Sequence, residues 1–227
     1  LRRLNCAVDY DPAFWEYASQ SLPPDLAADL VGPDVKFRES LINFKWAHGG
    51  DEVRWHQDIP FYPHTNLTPL LILTYLKDVE PDQAPLEVIP GSHKLGPLDH
   101  YDRDDGWLAR VSDEELQKVP LQEALELTGP AGTMVVLHGC IVHGSGRNHS
   151  DRNRPLLTCG YSSADAFCYT PRPSGNISKY IWQIVRGEPA RYAQHDPVRM
   201  RIPPDYSRAY TSIFEMQKGE SRPVEDA

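Results

Sequence analysis

The middle of this 227-residue chain is a succession of short apolar or alternating segments, each closed by proline, glycine, asparagine or aspartate. Period-two alternation and β-branched enrichment place strands at 35–46 (one or two), 51–56, 70–77, 86–89, 123–127, 133–138 and 154–161. Many short strands must bury a shared face by packing sheet on sheet, so an all-β sandwich or barrel is expected. A jelly roll of the cupin plan packs two sheets, and its mouth brings the ends of distant strands to a common point. The expected architecture is therefore mainly β, a sandwich or barrel with flanking helices. Its core spans about 35–165 of a single domain over 1–227, a length that suits one hydrophobic core.

Helix signals lie around that core. Ser21-Leu22-Pro23-Pro24 leads into a short helix at 25–30, closed by Gly32-Pro33, with Leu26 and Leu30 on one face. Ser112 and Glu115 form a capping box that opens a second short helix ending before Pro120. This insertion is expected at the mouth, as a substrate lid. A helix is also expected over 177–185, and the polar tail from Gln217 is expected to fray.

Composition narrows the partners. A formal charge of −9 argues against nucleic acid, whose phosphates need a basic footprint. No apolar run approaches a membrane span, and no signal peptide is evident. Cys6, Cys140, Cys159 and Cys168 show neither CxxC spacing nor a disulfide framework, which points to a reducing, cytoplasmic setting. The chain opens on Leu1 rather than Met, so its N-terminal part is expected to be incomplete. A small molecule is the expected partner, and oligomeric state leaves no readable mark.

The chemistry resides in histidines and carboxylates. Three H-x-D triplets occur, His56/Asp58, His100/Asp102 and His149/Asp151, and the motif alone is too common to choose among them. A ligand pair needs a rigid element to hold it. His56 ends the strand pattern Val53-Arg54-Trp55-His56, whereas His100 and His149 lie in polar runs that read as surface loops. The third ligand must come from another strand. Thr133-Met134-Val135-Val136-Leu137 runs into His138 and then His143, and both are candidates. His143 is favoured because Gly144-Ser145-Gly146 makes a flexible rim, while His138 continues the strand and suits packing or support of a ligand. Two imidazoles and a carboxylate on one face of a metal leave the other face open, as a non-haem Fe(II) oxygenase requires. Arg154 opens the next strand and carries a planar fork able to grip a carboxylate bidentately. Trp55, Phe61, Tyr62 and Tyr75 flank the expected mouth and are candidates for a substrate wall, although such aromatics are more often core.

Trp55-His56-Gln57-Asp58, Val88-Ile89-Pro90-Gly91-Ser92-His93-Lys94, His143-Gly144-Ser145-Gly146-Arg147-Asn148 with Ser150, and then Arg154 stand in one order over roughly half the chain. This set resembles the phytanoyl-CoA dioxygenase family of Fe(II)- and 2-oxoglutarate-dependent oxygenases on a double-stranded β-helix. The resemblance implies that His56, Asp58 and His143 bind iron. It implies that Arg154, eleven residues past His143, binds the distal carboxylate of 2-oxoglutarate, with Ser145 and Lys45 as further cosubstrate contacts. Relatives often carry Trp on the strand after H-x-D, where this chain has Leu73 or Thr74. The implied reaction consumes O₂ and 2-oxoglutarate, hydroxylates a C–H bond of a small substrate and releases succinate and CO₂. Related halogenases place a small residue where this chain has Asp58, so hydroxylation is the expected outcome. Two alternatives stay open: a cupin-type metal enzyme that uses no 2-oxoglutarate, and a non-catalytic metal-binding module of the same fold.

Overall fold

The computed structural model describes residues 2–170, 177–206 and 213–217. In chain order these form β1 (Arg3–Asn5), α1 (Pro12–Gln20), α2 (Leu22–Val31), β2 (Val35–Lys45), β3 (Val53–His56), β4 (Leu70–Tyr75), β5 (Leu86–Val88), α3 (Asp113–Leu116), β6 (Leu125–Leu127), β7 (Met134–His138), β8 (His143–Ser145), β9 (Arg154–Ser163), β10 (Ile184–Arg186) and α4 (Ile213–Gln217). One sheet runs β1-β2-β9-β4-β7, with β10 alongside β2; the other runs β3-β8-β5-β6. All these strand pairs are antiparallel, as a jelly roll requires. Among the described residues no helix is long and apolar enough to cross a membrane.

Alternation along the long strands sorts side chains into layers. On β4, Leu70 and Ile72 face α1 and α2, joining Ala18, Ala27, Phe37, Ile42 and Tyr161 in the outer core. Leu73 and Tyr75 instead join Leu86, Val88, Leu137 and Leu156 between the sheets. A third cluster, Ile89, Leu98, Val111, Val119 and Val142 with Trp55 against it, lies under the insertion. The pairing of β2 with β9 slips between Phe37↔Tyr161 and Glu39↔Gly160, leaving Arg38 as an extra residue. Such a bulge re-aims side chains, and beyond it Glu39, Leu41, Asn43 and Lys45 line the cavity between the sheets. Gly160 has to be glycine in this arrangement, because a Cβ there would lie 2.8 Å from Glu39 Cγ.

The expected strands are present within a few residues of their positions, and the 35–46 pattern is one bulged strand. The helix expected at 25–30 begins earlier, at Leu22, because Pro23 and Pro24 occupy its first turn, where no N–H is needed. α1 was not evident from periodicity; it starts at Asp11, whose side chain accepts from the Ala13 N–H at 2.9 Å. Of the expected capping box only the Ser112 half forms, its Oγ accepting from the Glu115 N–H at 3.2 Å; the Ser112 N–H donates to Asp99 O at 2.9 Å and the Glu115 carboxylate accepts from Lys118 Nζ at 2.6 Å.

Three expectations are corrected. Residues 177–185 are not helical: Trp182 N–H donates to Phe37 O and Gln183 O accepts from Phe37 N–H, so the segment satisfies the open edge of β2. Trp182 sits at φ 67°, which ends any helix there. The insertion around α3 is no lid, since it packs Leu116 and Val119 against the outside of the second sheet and contributes nothing to the cavity lining. His143-Gly144-Ser145 is a buried strand rather than a flexible rim. Of the polar tail, Gln217 closes α4, and residues 218–227 lie outside the described residues.

Ile72 is 1% exposed at the centre of the sheet–helix interface. Ile72→Ala should cost about 2–5 kcal/mol of unfolding free energy by urea titration, the usual penalty for a cavity in such a core. A loss under about 1 kcal/mol would mean the helices do not close this layer.

Candidate active site

β3 and β8 pair so that His56 and His143 are direct cross-strand partners. Their rings lie 4.1 Å apart, centroid to centroid. Gly144 permits the approach, because a Cβ there would meet Val53 O at 2.8 Å. The chain then turns, and the N–H groups of Asp58 and Ile59 both donate to Gly139 O, at 3.0 and 2.9 Å. This pins the Asp58 carboxylate 3.9 Å from His56 Nε2 and 3.7 Å from His143 Nε2.

Protonation of the two rings follows from their other nitrogens. His56 Nδ1 faces Arg54 O at 2.9 Å and His143 Nδ1 faces Ile141 O at 3.0 Å. A carbonyl accepts, so each Nδ1 carries a proton and each Nε2 is the nitrogen turned inward. Burial, then the neighbouring His143, hold His56 well below the usual imidazole range. Burial pushes the Asp58 carboxyl up, opposed chiefly by His143. Asp58 Oδ2 is buried without a hydrogen-bond partner. Three donor atoms within 4.8 Å of one another, two imidazole nitrogens and an unsatisfied carboxylate oxygen, fit a divalent cation of the borderline class.

His100 was expected at the surface, but it is 1% exposed. Its Nδ1 donates to Leu98 O at 3.0 Å, and its Nε2 accepts from the Gln57 N–H at 3.1 Å. The Gln57 side chain donates to Cys140 O at 2.6 Å and Gly96 O at 2.9 Å, and accepts from Leu98 N–H at 2.7 Å. The residue between His56 and Asp58 is thus locked from both sides. Burial lowers His100 to about 4, so it stays a neutral acceptor. His149 is exposed, as expected. His138 accepts from the Cys140 N–H through Nδ1 at 3.0 Å and faces His93, outside the cavity, which removes it as the alternative ligand.

At one end of the cavity Lys45 on β2 stands directly opposite Arg154 on β9. Both are buried. Lys45 Nζ donates to Ser145 Oγ at 2.6 Å and to the carbonyl of Gly146. Arg154 Nε and Nη1 are buried with no hydrogen-bond partner. Like charges directly opposite on a sheet repel. Burial, then Arg154, pull Lys45 down to about 7, and burial takes Arg154 to about 10. Two buried cations facing one another, one with orphaned donors, fit a carboxylate between them.

Phe61 and Tyr62 line the cavity and also belong to a buried cluster with Ala109 and Ile213. Trp55 does not: it alternates with His56 to the opposite face and packs into the cluster under the insertion. Tyr75 also stands back from the cavity, its hydroxyl donating to Leu127 O. Of the two residues considered where relatives carry Trp, Leu73 lines the cavity, while Thr74 turns outward to the Tyr17 hydroxyl at 2.6 Å. Arg38, Glu39 and Thr158 are cavity residues that the sequence did not disclose. A bulge aims the first two, and no local signal marks a bulge.

The profile of the phytanoyl-CoA dioxygenase family matches residues 7–156. A probable alpha-ketoglutarate-dependent hypophosphite dioxygenase of Stutzerimonas stutzeri is 32% identical over 200 residues, covering 86% of this chain and 68% of that protein. L-proline trans-4-hydroxylase of Streptomyces griseoviridis is 32% identical over 180 residues, covering 71% and 67%. The crystal structure of EctD from S. alaskensis with 2-oxoglutarate and 5-hydroxyectoine superposes with a TM-score of 0.63 at 22% identity, covering 89% and 68%. That likeness shows the fold, and the chain spans about two thirds of the length of these proteins. The chain belongs to the phytanoyl-CoA dioxygenase family of Fe(II)- and 2-oxoglutarate-dependent oxygenases.

Proposed function

We propose that His56, Asp58 and His143 hold Fe(II), that Arg154, Lys45 and Ser145 hold the distal carboxylate of 2-oxoglutarate, and that the chain hydroxylates a small organic substrate at a C–H bond. The observation that carries this is the pairing of a His–Asp–His centre with two buried, opposed cations in one cavity. A cupin-type enzyme without 2-oxoglutarate has no use for that cationic pair. A non-catalytic module has no physical need to keep both groups.

Bound there, iron supplies the activation of O₂ that couples decarboxylation of 2-oxoglutarate, to succinate and CO₂, to substrate oxidation. The chain's own residues do the positioning. The Nδ1 hydrogen bonds of His56 and His143 fix ring orientation and present both Nε2 atoms. The Arg154 fork and the Lys45 ammonium set the far end of the cosubstrate. Leu41, Leu71, Leu73, Leu137 and Leu156 make much of the remaining wall of a cavity of about 220 Å³ and keep water from the reacting centre. Phe61 and Tyr62 are the aromatic part of the substrate wall. None of the four cysteines is in a disulfide, which suits the reducing, cytoplasmic setting that ferrous iron favours.

The test is anaerobic titration with Fe(II) and then 2-oxoglutarate, read through the visible charge-transfer band of the chelated keto acid. The band should form in the wild type and disappear in His143→Ala, which removes a ligand. Iron binding with no band would favour the enzyme without 2-oxoglutarate. Arg154→Ala should bind iron normally but need at least ~10-fold more 2-oxoglutarate, the scale of one lost charge-assisted bidentate contact. An unchanged requirement would reassign the anchor.

pH gives an independent check on Lys45. Burial and the facing Arg154 lower its proton affinity, to a pKa of about 7. A bound carboxylate favours the charged form, so binding takes up a proton above that pH. Affinity for 2-oxoglutarate should therefore fall between about pH 6 and about pH 8.5 in the wild type, with a shallower slope in Lys45→Met. Calorimetry at several pH values reads both, and equal slopes would remove Lys45 from the site.

A further inference from the structure

One hydroxyl in the cavity wall has no use within the fold. Thr158 on β9 lines the cavity and is 2% exposed. Its Oγ1 is buried with no hydrogen-bond partner among the described residues. Its neighbours across the sheet are Leu41 on β2 and Leu73 on β4, whose side chains offer neither donor nor acceptor. A hydroxyl buried in this way destabilises a fold. Valine has the same shape without that penalty and suits a strand equally well. Asp58 Oδ2 and the Nε and Nη1 atoms of Arg154 are orphaned in the same cavity, and both residues belong to the proposed ligand sites. The oxygen of Thr158 is the neutral member of that set.

Its place on the strand says which part of the cavity it serves. Arg154, Leu156 and Thr158 alternate onto the cavity face of β9. Four residues of strand span about 13 Å, which sets Thr158 well apart from the backbone of the Lys45–Arg154 pair. Its end of the sheet is the metal end. One step beyond the Leu41–Thr158 pair, Glu39 stands opposite Gly160. Burial pushes the Asp58 carboxyl up, His143 pulls it back, and Glu39 pushes it up again, so Glu39 and Asp58 are electrostatic neighbours.

We propose that the Thr158 hydroxyl donates to an oxygen at the metal-chelating end of 2-oxoglutarate and fixes how that end sits on the iron. The inference rests on the proposed iron and cosubstrate sites and adds a positioning residue to them. A cosubstrate anchored at Arg154 and directed toward the His–Asp–His centre follows the row Arg154–Leu156–Thr158. Its two methylenes meet Leu156, and its keto and carboxylate oxygens meet the hydroxyl. A hydrogen bond to an ionised carboxylate is one of the stronger kind. The cations hold only the far end, and a contact at the near end removes the freedom of the chain to turn about its length.

The experiment compares wild type, Thr158→Val and Thr158→Ser, first without metal and then loaded anaerobically with Fe(II), with 2-oxoglutarate as the probe. Without metal or cosubstrate, Thr158→Val should resist thermal unfolding at least as well as the wild type, because it removes an unsatisfied hydroxyl. Loaded with iron, it should bind 2-oxoglutarate at least ~10-fold more weakly by calorimetry, the scale of one hydrogen bond to a charged group. Its charge-transfer band should also move, because that band reports on the chelated end and not on the distal carboxylate. Thr158→Ser should restore the band position and come within about threefold of wild-type affinity. The inference is overturned if Thr158→Val keeps wild-type affinity or an unshifted band, or if Thr158→Ser behaves like Thr158→Val. It is equally overturned if Thr158→Val is less stable without ligands or does not fold, which would mean that the hydroxyl is bonded inside the protein. Failure of the wild type to bind 2-oxoglutarate at all is a different result: it sinks the cosubstrate reading, and this inference with it.

Discussion

The antiparallel pairing of β3 with β8 is the constraint on which the rest depends. It places two imidazoles from positions 87 residues apart within 4.1 Å of one another. Backbone hydrogen bonds hold that spacing, so the site does not rely on side-chain attraction between the two rings. Gly144 is the local condition for it, since any Cβ would push the strands apart. The turn after β3 then swings Asp58 over the gap, and Gly139 O holds that turn by two N–H donors. Gln57 and His100 close the same turn from the other side. The three donor groups are therefore preorganised by the main chain, as a metal site requires.

The opposite sheet supplies charge. β2 and β9 run side by side for ten paired positions, and their cavity faces carry Lys45, Arg154, Glu39 and Thr158 among leucines. A buried cation is costly unless a counter-charge arrives. The protein carries two such cations, Lys45 and Arg154, at one end of the cavity. Electrostatic strain of this kind is stored in the folded chain and relieved by binding, which is how a site obtains selectivity for anionic ligands. The helices α1 and α2 make this tolerable, because they cover the outer face of the same sheet and supply apolar burial away from the charged face.

Much of this was legible in sequence. Period-two patterns placed the central strands because one face of each is buried and the alternation records it. The H-x-D triplet on a strand end was separable from two others by context. His143 and Arg154 kept a spacing that the family resemblance reads directly. Where the reading failed, a tertiary contact had overruled a local signal. Residues 177–185 carry helix-compatible residues, yet the open edge of β2 captured their backbone. Trp55 looked like cavity wall from its place beside His56, but adjacent strand residues face opposite sides, and the insertion offered it an apolar bed. His100 sits in a polar stretch and was still buried, because the Gln57 amide needed an acceptor.

By itself the sequence determined the fold class, the reaction class and the identities of the groups that converge, because strand alternation and ligand spacing are local quantities written in residue order. Only the tertiary structure decided which nitrogen of each histidine turns inward, that Lys45 faces Arg154, and that Arg38 belongs to the cavity. Those facts depend on register between strands distant in sequence and on a one-residue bulge. A slip of one position would reverse every side chain on β2, and the residue pattern of a single strand does not record its partner's register.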